Sequence, residues 1–360
     1  MSAIELLSDL QCNGLKWEGE IGLSRKGGAG PSDHKALSLN GQTMMIPVLN
    51  LAAVEDSPYT GKKDPATGEV IVFKNRIPVA TLSAPVRPRF YDLTTADGIP
   101  YEQIATLHSH DVLATSVLQH CIRMNDKSTA CQFCSIDQSL KDGRTLIRKR
   151  PEQLAEVAKA AVELDGVTQM VITTGTPNTP DRGAEILYDS VKAIKAQVDL
   201  PIQVQCEPPD DFAWFQKLKD AGAVSIGMHL EAVSDRVRKK IMPGKAEVSL
   251  DVYFAAFEAA VRVFGRGQVS TYILAGLGDT EEEIISMTER LAEIGVYPFV
   301  VPFVPIQGTA LQHHSKPDQS FMQRLYPQIG HQLRQYGLNS EQTKAGCAKC
   351  GACSSLKAYE

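Results

Sequence analysis

Six of the eight cysteines in this 360-residue chain fall into two short clusters. The first cluster contains Cys121, Cys131 and Cys134, with nine residues between the first two and two residues between the last pair. Thiolates bind soft metals, and a C-x-x-C turn allows two sulfurs to face one ion. The cluster therefore predicts an iron–sulfur or zinc site, with an oxidised disulfide and chance proximity as the alternatives.

The second cluster places Cys347, Cys350 and Cys353 within seven positions, in a loop of small residues. Small residues allow the backbone to approach an ion or a cluster closely. We favour an iron–sulfur cluster over structural zinc here, and a closed site of either kind needs one more ligand than three cysteines provide. The candidates for that ligand are Cys206, Cys12, His313, His314 and the substrate itself.

The composition is that of a globular protein, with 43% hydrophobic and 22% charged residues. A net charge of -5 provides no basic surface for nucleic acid or an anionic membrane, which leaves a small molecule as the expected partner. The first residues lack the pattern of a signal peptide, and no run is long enough to span a membrane. We therefore expect a cytoplasmic protein, in which paired thiols stay reduced rather than forming disulfides.

Short apolar runs alternate with helical patterns from residue 112 onward. The helices carry end signals: Pro151 at a first turn, Ser249 as a cap with an end at Gly265, and Thr280 with Glu283 as a capping box. Six strands are fewer than the eight of a closed barrel, so the pattern predicts an α/β fold with a partial, laterally open (β/α)6 barrel of the TIM type. The six predicted strands are Val112–Leu118, Val167–Thr173, Ile202–Gln205, Val224–Leu230, Val269–Leu274 and Phe299–Val304.

Unusual residues follow these strands, at the edge where such barrels carry their chemistry. The first cysteine cluster follows the first strand, and the others follow the next four. They are Thr174-Gly175-Thr176-Pro177, Cys206-Glu207, His229 with Glu231, and Gly276-Leu277-Gly278.

We expect three regions: a β-rich N-terminal unit at 1–105, the partial barrel at 106–312, and a C-terminal helix with the second cysteine cluster at 313–360. Gly27, Gly28 and Gly30 lack the strand–helix context of a phosphate-binding loop, so a simple loop is the preferred interpretation. His108 and His110 are interpreted as solvated or hydrogen-bonded histidines rather than ligands.

A cysteine triad after the first strand of a partial barrel resembles the radical SAM superfamily over residues 112 to 312. The commonest spacing in that family has three residues between the first two cysteines, where this chain has nine. The resemblance implies that Cys121, Cys131 and Cys134 hold a [4Fe-4S] cluster whose fourth iron binds S-adenosylmethionine (SAM). The remaining core is similar to biotin and lipoyl synthases, and the chain looks most like an uncharacterised subfamily encoded beside nitrilases and acetyltransferases.

The resemblance also implies a set of SAM contacts. Thr174, Gly175 and Thr176 stand where the family has Gly-Gly-Glu-Pro and would receive the ammonium group. Glu231 would accept the ribose hydroxyls with His229 beside it. The remaining implied contacts are Phe133 near the adenine, Arg236 or Lys245 for the methionyl carboxylate, and Ala275, Gly276 and Leu277 on the adenine-binding strand.

A radical SAM enzyme would cleave SAM reductively and use the 5′-deoxyadenosyl radical to abstract hydrogen from a small-molecule substrate. The implied partner is a flavodoxin- or ferredoxin-like electron donor, and the C-terminal cysteines would hold a second [4Fe-4S] cluster or zinc. One alternative is a structural or interaction protein in which the two C-x-x-C pairs form a zinc site. Another is an ordinary barrel enzyme that uses His229 and Glu231 as acid and base.

Overall fold

The structure, a computed structural model, describes residues 2–19, 32–48 and 52–360. The glycine-rich segment at 27–31 lies outside these described residues. Within them the chain forms thirteen strands. The strands are β1 (Lys16–Glu18), β2 (His34–Leu39), β3 (Gln42–Pro47), β4 (Tyr59–Lys63), β5 (Val70–Lys74), β6 (Ile77–Leu82), β7 (Thr106–His108), β8 (Val112–Ser116), β9 (Gln169–Thr173), β10 (Ile202–Gln205), β11 (Ala223–Gly227), β12 (Val269–Ala275) and β13 (Val296–Pro302).

The same residues contain thirteen α-helices, several of them a single turn, together with four short 3-10 helices. The helices are α1 (Ala3–Asn13), α2 (Ala52–Glu55), α3 (Tyr101–Ile104), α4 (Gln138–Lys141), α5 (Pro151–Asp165), α6 (Ala184–Lys195), α7 (Ala213–Ala221), α8 (Asp235–Ile241), α9 (Pro243–Ala246), α10 (Leu250–Phe264), α11 (Glu281–Glu293), α12 (Gln319–Gln335) and α13 (Cys347–Cys350). The predicted caps are present: the Ser249 side chain accepts from Val252 N–H, and Thr280 forms a capping box with Glu283.

The central sheet has seven strands in the order β13-β12-β11-β10-β9-β8-β7. Its six strands from β8 to β13 pair in parallel, so the predicted partial barrel is confirmed. The edge strand β7 was not predicted, and it pairs antiparallel with β8. At three residues β7 is too short to show a period of its own.

Side chains alternate between the two faces of this sheet, as the pleat of a strand requires. On β9, Met170 and Ile172 pack into the main hydrophobic core, whereas Val171 and Thr173 face a cavity on the other side. The buried core therefore lies between the sheet and its helices. The opposite face is left to line a binding site.

The N-terminal residues form a smaller unit around their own hydrophobic cluster. It contains the sheet β1-β4-β5-β6, the β2–β3 hairpin and the helix α1, which the sequence analysis did not predict. The Ser2 side chain and Glu5 cap α1 reciprocally, and its leucines are buried. Helix α12 packs against both α1 and α11, so the C-terminal region joins this unit to the barrel.

Candidate active site

One cavity of about 390 Å³ occupies the open face of the half-barrel. This volume suits a small molecule, since ligand sites commonly measure about 300–1,000 Å³. Its lining includes Cys121, Cys131 and Cys134 at one end and Cys347 and Cys353 at the other. The structure thus brings members of both cysteine clusters to a single cavity.

The loop that carries the first three cysteines is held by backbone hydrogen bonds to the rim of the barrel. Ile122 N donates to Thr176 O at 2.8 Å, and Gln132 N donates to Ile241 O at 2.9 Å. Gly244 N donates to Thr129 O at 3.1 Å. The loop is therefore fixed at several points although nine residues separate its first two cysteines.

Burial raises the pKa of the Cys134 thiol to about 12 and raises that of Cys131 as well. Cys121 adds to both shifts because its thiolate charge would repel theirs. The Cys131 and Cys134 thiols therefore stay protonated at neutral pH unless a bound cation compensates their charge. This donor set fits the iron–sulfur cluster that the resemblance implies.

Gly175 lies directly against the cysteine loop. A Cβ atom at this position would approach His120 O to 2.0 Å, far inside van der Waals contact. The neighbouring Thr174 and Thr176 also line the cavity. The glycine is therefore needed for close approach between the end of β9 and the cysteine loop.

The variant Gly175→Ala is expected to displace the cysteine loop and to lower the free energy of unfolding by about 1–3 kcal/mol or more, because a backbone oxygen cannot yield as a side chain can. Gly166→Ala is the control: it adds the same methyl group to open space after α5, at a positive φ that costs about 1–2 kcal/mol. Urea denaturation of both variants measures the difference. An equal loss of stability in the two would contradict this account of Gly175.

Arg123 and Glu207 form a buried ion pair between the cysteine loop and the end of β10. Arg123 Nε donates to Glu207 Oε1 at 2.9 Å and Nη2 donates to Oε2 at 2.7 Å. Both side chains are 9% exposed. Arg123 Nη1 also donates to Gly244 O, so one guanidinium ties the loop to two other segments of the rim. No role was predicted for this arginine.

Glu231 and Lys245 form a second ion pair in the cavity, with Nζ and Oε1 3.5 Å apart. Burial raises the pKa of the Glu231 carboxyl, and Lys245 opposes that shift. Glu231 adopts a left-handed backbone conformation with φ of 66°, and hydrogen bonds to Tyr272 O and Leu274 N hold it there. A non-glycine residue in this region is strained, which is typical of functional positions.

His229 lines the cavity next to this pair and stacks edge-on against Tyr272. Its Nδ1 accepts the Tyr272 backbone N–H at 3.2 Å, which leaves the ring proton on Nε2. Burial, assisted by Lys245, lowers the His229 pKa to about 3. A ring that stays neutral near pH 7 serves as a hydrogen-bond donor, which disfavours the acid–base alternative.

The other predicted contacts divide between the cavity and its surroundings. Phe133 lines the cavity and packs on the hydrophobic cluster that contains Leu277. Arg236 is 60% exposed and pairs with Glu283 at 3.1 Å, so the structure brings Lys245 and not Arg236 to the cavity. Ala275 and Gly276 are not among the residues that line the cavity. The carbonyl oxygen of Gly276 instead contacts His314 Nε2 at 3.0 Å.

The described parts of the chain contain no group of three or more His, Cys, Asp or Glu side chains arranged to hold a single metal ion. Zinc needs its ligands about 2.0–2.3 Å from one point. The zinc site that would combine the two C-x-x-C pairs is therefore not assembled among these residues. A multi-iron cluster differs because its thiolates attach to separate irons.

The fold and this cavity define an α/β barrel enzyme whose candidate site opens at the carboxyl edge of its strands. Residues 128–291 match the family model described as the Radical SAM superfamily, which supports that superfamily for this part of the chain. That superfamily implies a [4Fe-4S] cluster and SAM as cofactors. Among residues 2–19, 32–48 and 52–360, the helices are too short or too polar to cross a membrane.

Curated relatives match parts of the chain. The bacteriochlorophyllide c C-7(1)-hydroxylase of Chlorobaculum limnaeum is 28% identical over 63% of this chain and 61% of its own length. The lipoyl synthase of Marinobacter nauticus is 31% identical over 46% of this chain and 47% of its own length. The chain thus spans about half to three fifths of these relatives. Among solved structures, HydG, a maturase of the [FeFe]-hydrogenase, is similar in fold with a TM-score of 0.50 at 16% identity, covering 66% of this chain and 53% of HydG.

Proposed function

We propose that this chain cleaves SAM reductively on a [4Fe-4S] cluster and uses the resulting 5′-deoxyadenosyl radical to abstract hydrogen from a small-molecule substrate. The observation that carries the proposal is the convergence of Cys121, Cys131 and Cys134 with the Glu231–Lys245 pair on one cavity of small-molecule size. The superfamily match and the relatives that are radical enzymes support it.

In this proposal Cys121, Cys131 and Cys134 would hold the cluster through three thiolates, and an iron without a protein ligand would bind the amino and carboxylate groups of SAM. Three protein ligands are the number that keeps one position open for a small molecule. The close contact between Gly175 and the backbone of His120, together with the Arg123–Glu207 ion pair, holds the loop that carries the thiols. The protein therefore supplies position and charge, while the cofactors supply the electron chemistry.

The chain's own residues would orient SAM along the cavity. Carbonyl and hydroxyl groups of residues 174–176 receive the ammonium, and Lys245 rather than Arg236 pairs with the methionyl carboxylate because only Lys245 reaches the cavity. Glu231 accepts the ribose hydroxyls, and His229 donates from Nε2 beside it. Phe133 would lie near the adenine, and its ring packs on the hydrophobic cluster that contains Leu277.

The remaining parts of the proposal concern partners and regions. Electrons come from a flavodoxin- or ferredoxin-like donor, and the C-terminal cysteines hold a second iron–sulfur cluster. The catalytic core spans residues 106–312, between an N-terminal unit at 1–105 and a C-terminal region at 313–360. The substrate is a small molecule that fits the space between the two cysteine clusters.

The test is anaerobic purification followed by iron and acid-labile sulfide analysis and a visible spectrum. A brown protein with about four to eight irons per chain is expected if one or two cysteine-bound cubane clusters are present. Addition of SAM and a strong reductant should then release 5′-deoxyadenosine. A colourless protein that contains zinc and no sulfide would contradict the proposal.

A further inference from the structure

The C-terminal cysteines lie beneath the half-barrel, where its parallel strands begin. The segment that carries them is held by side chains from three neighbouring strands. Ser225 Oγ donates to Ala345 O at 2.8 Å. Gly346 N donates to the Gln169 side chain at 2.7 Å. Cys347 N donates to Gln203 Oε1 at 3.3 Å. The two cysteine clusters therefore stand at opposite ends of the cavity.

Polar side chains of the cavity contact two of the three C-terminal thiols, those of Cys347 and Cys353. Gln205 Nε2 donates to Cys347 Sγ at 3.3 Å. The Tyr272 hydroxyl lies against the thiols of both Cys347 and Cys353. Cys353 Sγ is 3.6 Å from Nε2 of His108. The His108 imidazole is thus a fourth candidate ligand beside the three cysteines identified from the sequence.

The backbone turns His108 and its neighbour toward these thiols. His108 is the last residue of the edge strand β7, which pairs antiparallel with β8. The next residue, Ser109, is buried with φ of 59°, a left-handed conformation that is uncommon for serine, and its hydroxyl contacts the Cys350 thiol. A strained, buried turn that presents two polar side chains to one thiol cluster points to a binding site.

The N-terminal unit covers this site from outside. Met45 N in the β2–β3 hairpin donates to Ala352 O at 2.7 Å. Ala36 and Met45 pack on Ala352, with Cys350 and Cys353 against the same cluster. The hairpin therefore shields the thiols from water, which the sequence of the N-terminal unit did not reveal.

We propose that His108 is the fourth protein ligand of an iron–sulfur cluster held by Cys347, Cys350 and Cys353. This inference rests on the proposed function, which assigns a cluster to these cysteines, and adds the ligand that closes it. Neutral imidazole nitrogen replaces thiolate as a ligand in some iron–sulfur centres.

A cluster with four protein ligands has no open iron. It cannot anchor the substrate or bind SAM as the first cluster would. Tyr272 lies between it and His229, whose ring centroid is 4.9 Å from that of Tyr272. The closed cluster would thus exchange electrons with the cavity without direct coordination of its contents.

The test uses the full chain with Cys121, Cys131 and Cys134 replaced by alanine, so that only the C-terminal cluster remains. In that background His108→Ala is expected to lose most of the bound iron, about four per chain. His108→Cys keeps the number of ligands and should retain the iron. His110→Ala is the matched control, because this neighbouring histidine is exposed and pairs with Asp111 at the surface.

Pulsed EPR of the reduced samples, without SAM, reports the ligand directly. A 14N coupling from a bound imidazole is expected in the background chain and in His110→Ala, and its absence in His108→Cys. The inference is overturned if His108→Cys keeps the coupling, if His108→Ala retains as much iron as His110→Ala, or if the background chain folds by circular dichroism but binds zinc or no metal. If the unmodified chain, loaded with iron and sulfide, does not cleave SAM, the proposed function is refuted instead.

Discussion

Replacing Cys121, Cys131 and Cys134 together by alanine is expected to abolish reductive cleavage of SAM and to remove about four irons per chain. Cys206 would remain at the carboxyl edge, but a single thiol cannot hold a [4Fe-4S] cluster. The iron at the C-terminal cysteines should stay, because the two sets lie at opposite ends of the cavity and His108, Gln205 and Tyr272 contact the second. Release of 5′-deoxyadenosine and the iron content per chain are the two measurements.

Cys12→Ala is the control for this experiment. Cys12 is a buried thiol near the end of helix α1 that packs into the main hydrophobic core, and it does not line the cavity. The variant should lose some stability, since a buried group is removed, and keep both clusters and SAM cleavage. Wild-type cleavage by the triple variant would show that the radical chemistry does not depend on this loop.

The barrel was predictable because its signal is local. Each strand is a short apolar run beside a helix with recognisable caps, such as Ser249 before α10 and Thr280 before α11. The regular order of strands and helices then fixes parallel pairing, and parallel pairing places the ends of the strands at one edge. Glu231 and the cysteine loop could be placed at the same edge by this argument alone.

What the sequence could not provide is pairing between distant segments. His108 and Cys353 are 245 positions apart and meet only because the C-terminal segment crosses beneath the sheet. A histidine beside a serine carries no sign of such a partner. The inward side chains Gln203 and Gln205 were likewise missed, since alternation predicts which face a residue occupies and not what lies opposite.

The choice between Arg236 and Lys245 shows the same limit. Both are cations near the end of β11, and the guanidinium was the better geometric match for a carboxylate. In the structure Arg236 lies on the exposed side of α8 and bonds to Gly278 O and Glu283, while Lys245 in α9 is 10% exposed beside Glu231. Which of the two side chains faces the cavity depends on the turn at Met242 between α8 and α9. One residue between two short helices carries no periodic pattern from which the direction of this turn could be predicted.

Arg123→Met is expected to lower the free energy of unfolding by about 3–5 kcal/mol, because it leaves the buried Glu207 carboxylate without its partner. Burial raises the Glu207 pKa by itself, but Arg123 and Lys245 hold it below its usual value. In the variant the carboxyl pKa must rise, so its protonation on acidification relieves part of the penalty. The stability gap between variant and wild type should therefore narrow as the pH falls from 8 toward about 5, as urea denaturation across this range can measure.

The double variant Arg123→Met/Glu207→Leu separates charge from shape. It removes both charges from the same place, and replacing a buried ion pair by apolar residues is often close to neutral for stability. We expect it to recover most of the stability that Arg123→Met loses, yet to bind less iron than wild type, because the bonds from Arg123 to Gly244 O and Glu207 that hold the cysteine loop are gone. If the double variant is as unstable as the single one at pH 7, the unpaired carboxylate is not the cause. Full iron content in the double variant would show that the loop keeps its cysteines in place without the ion pair.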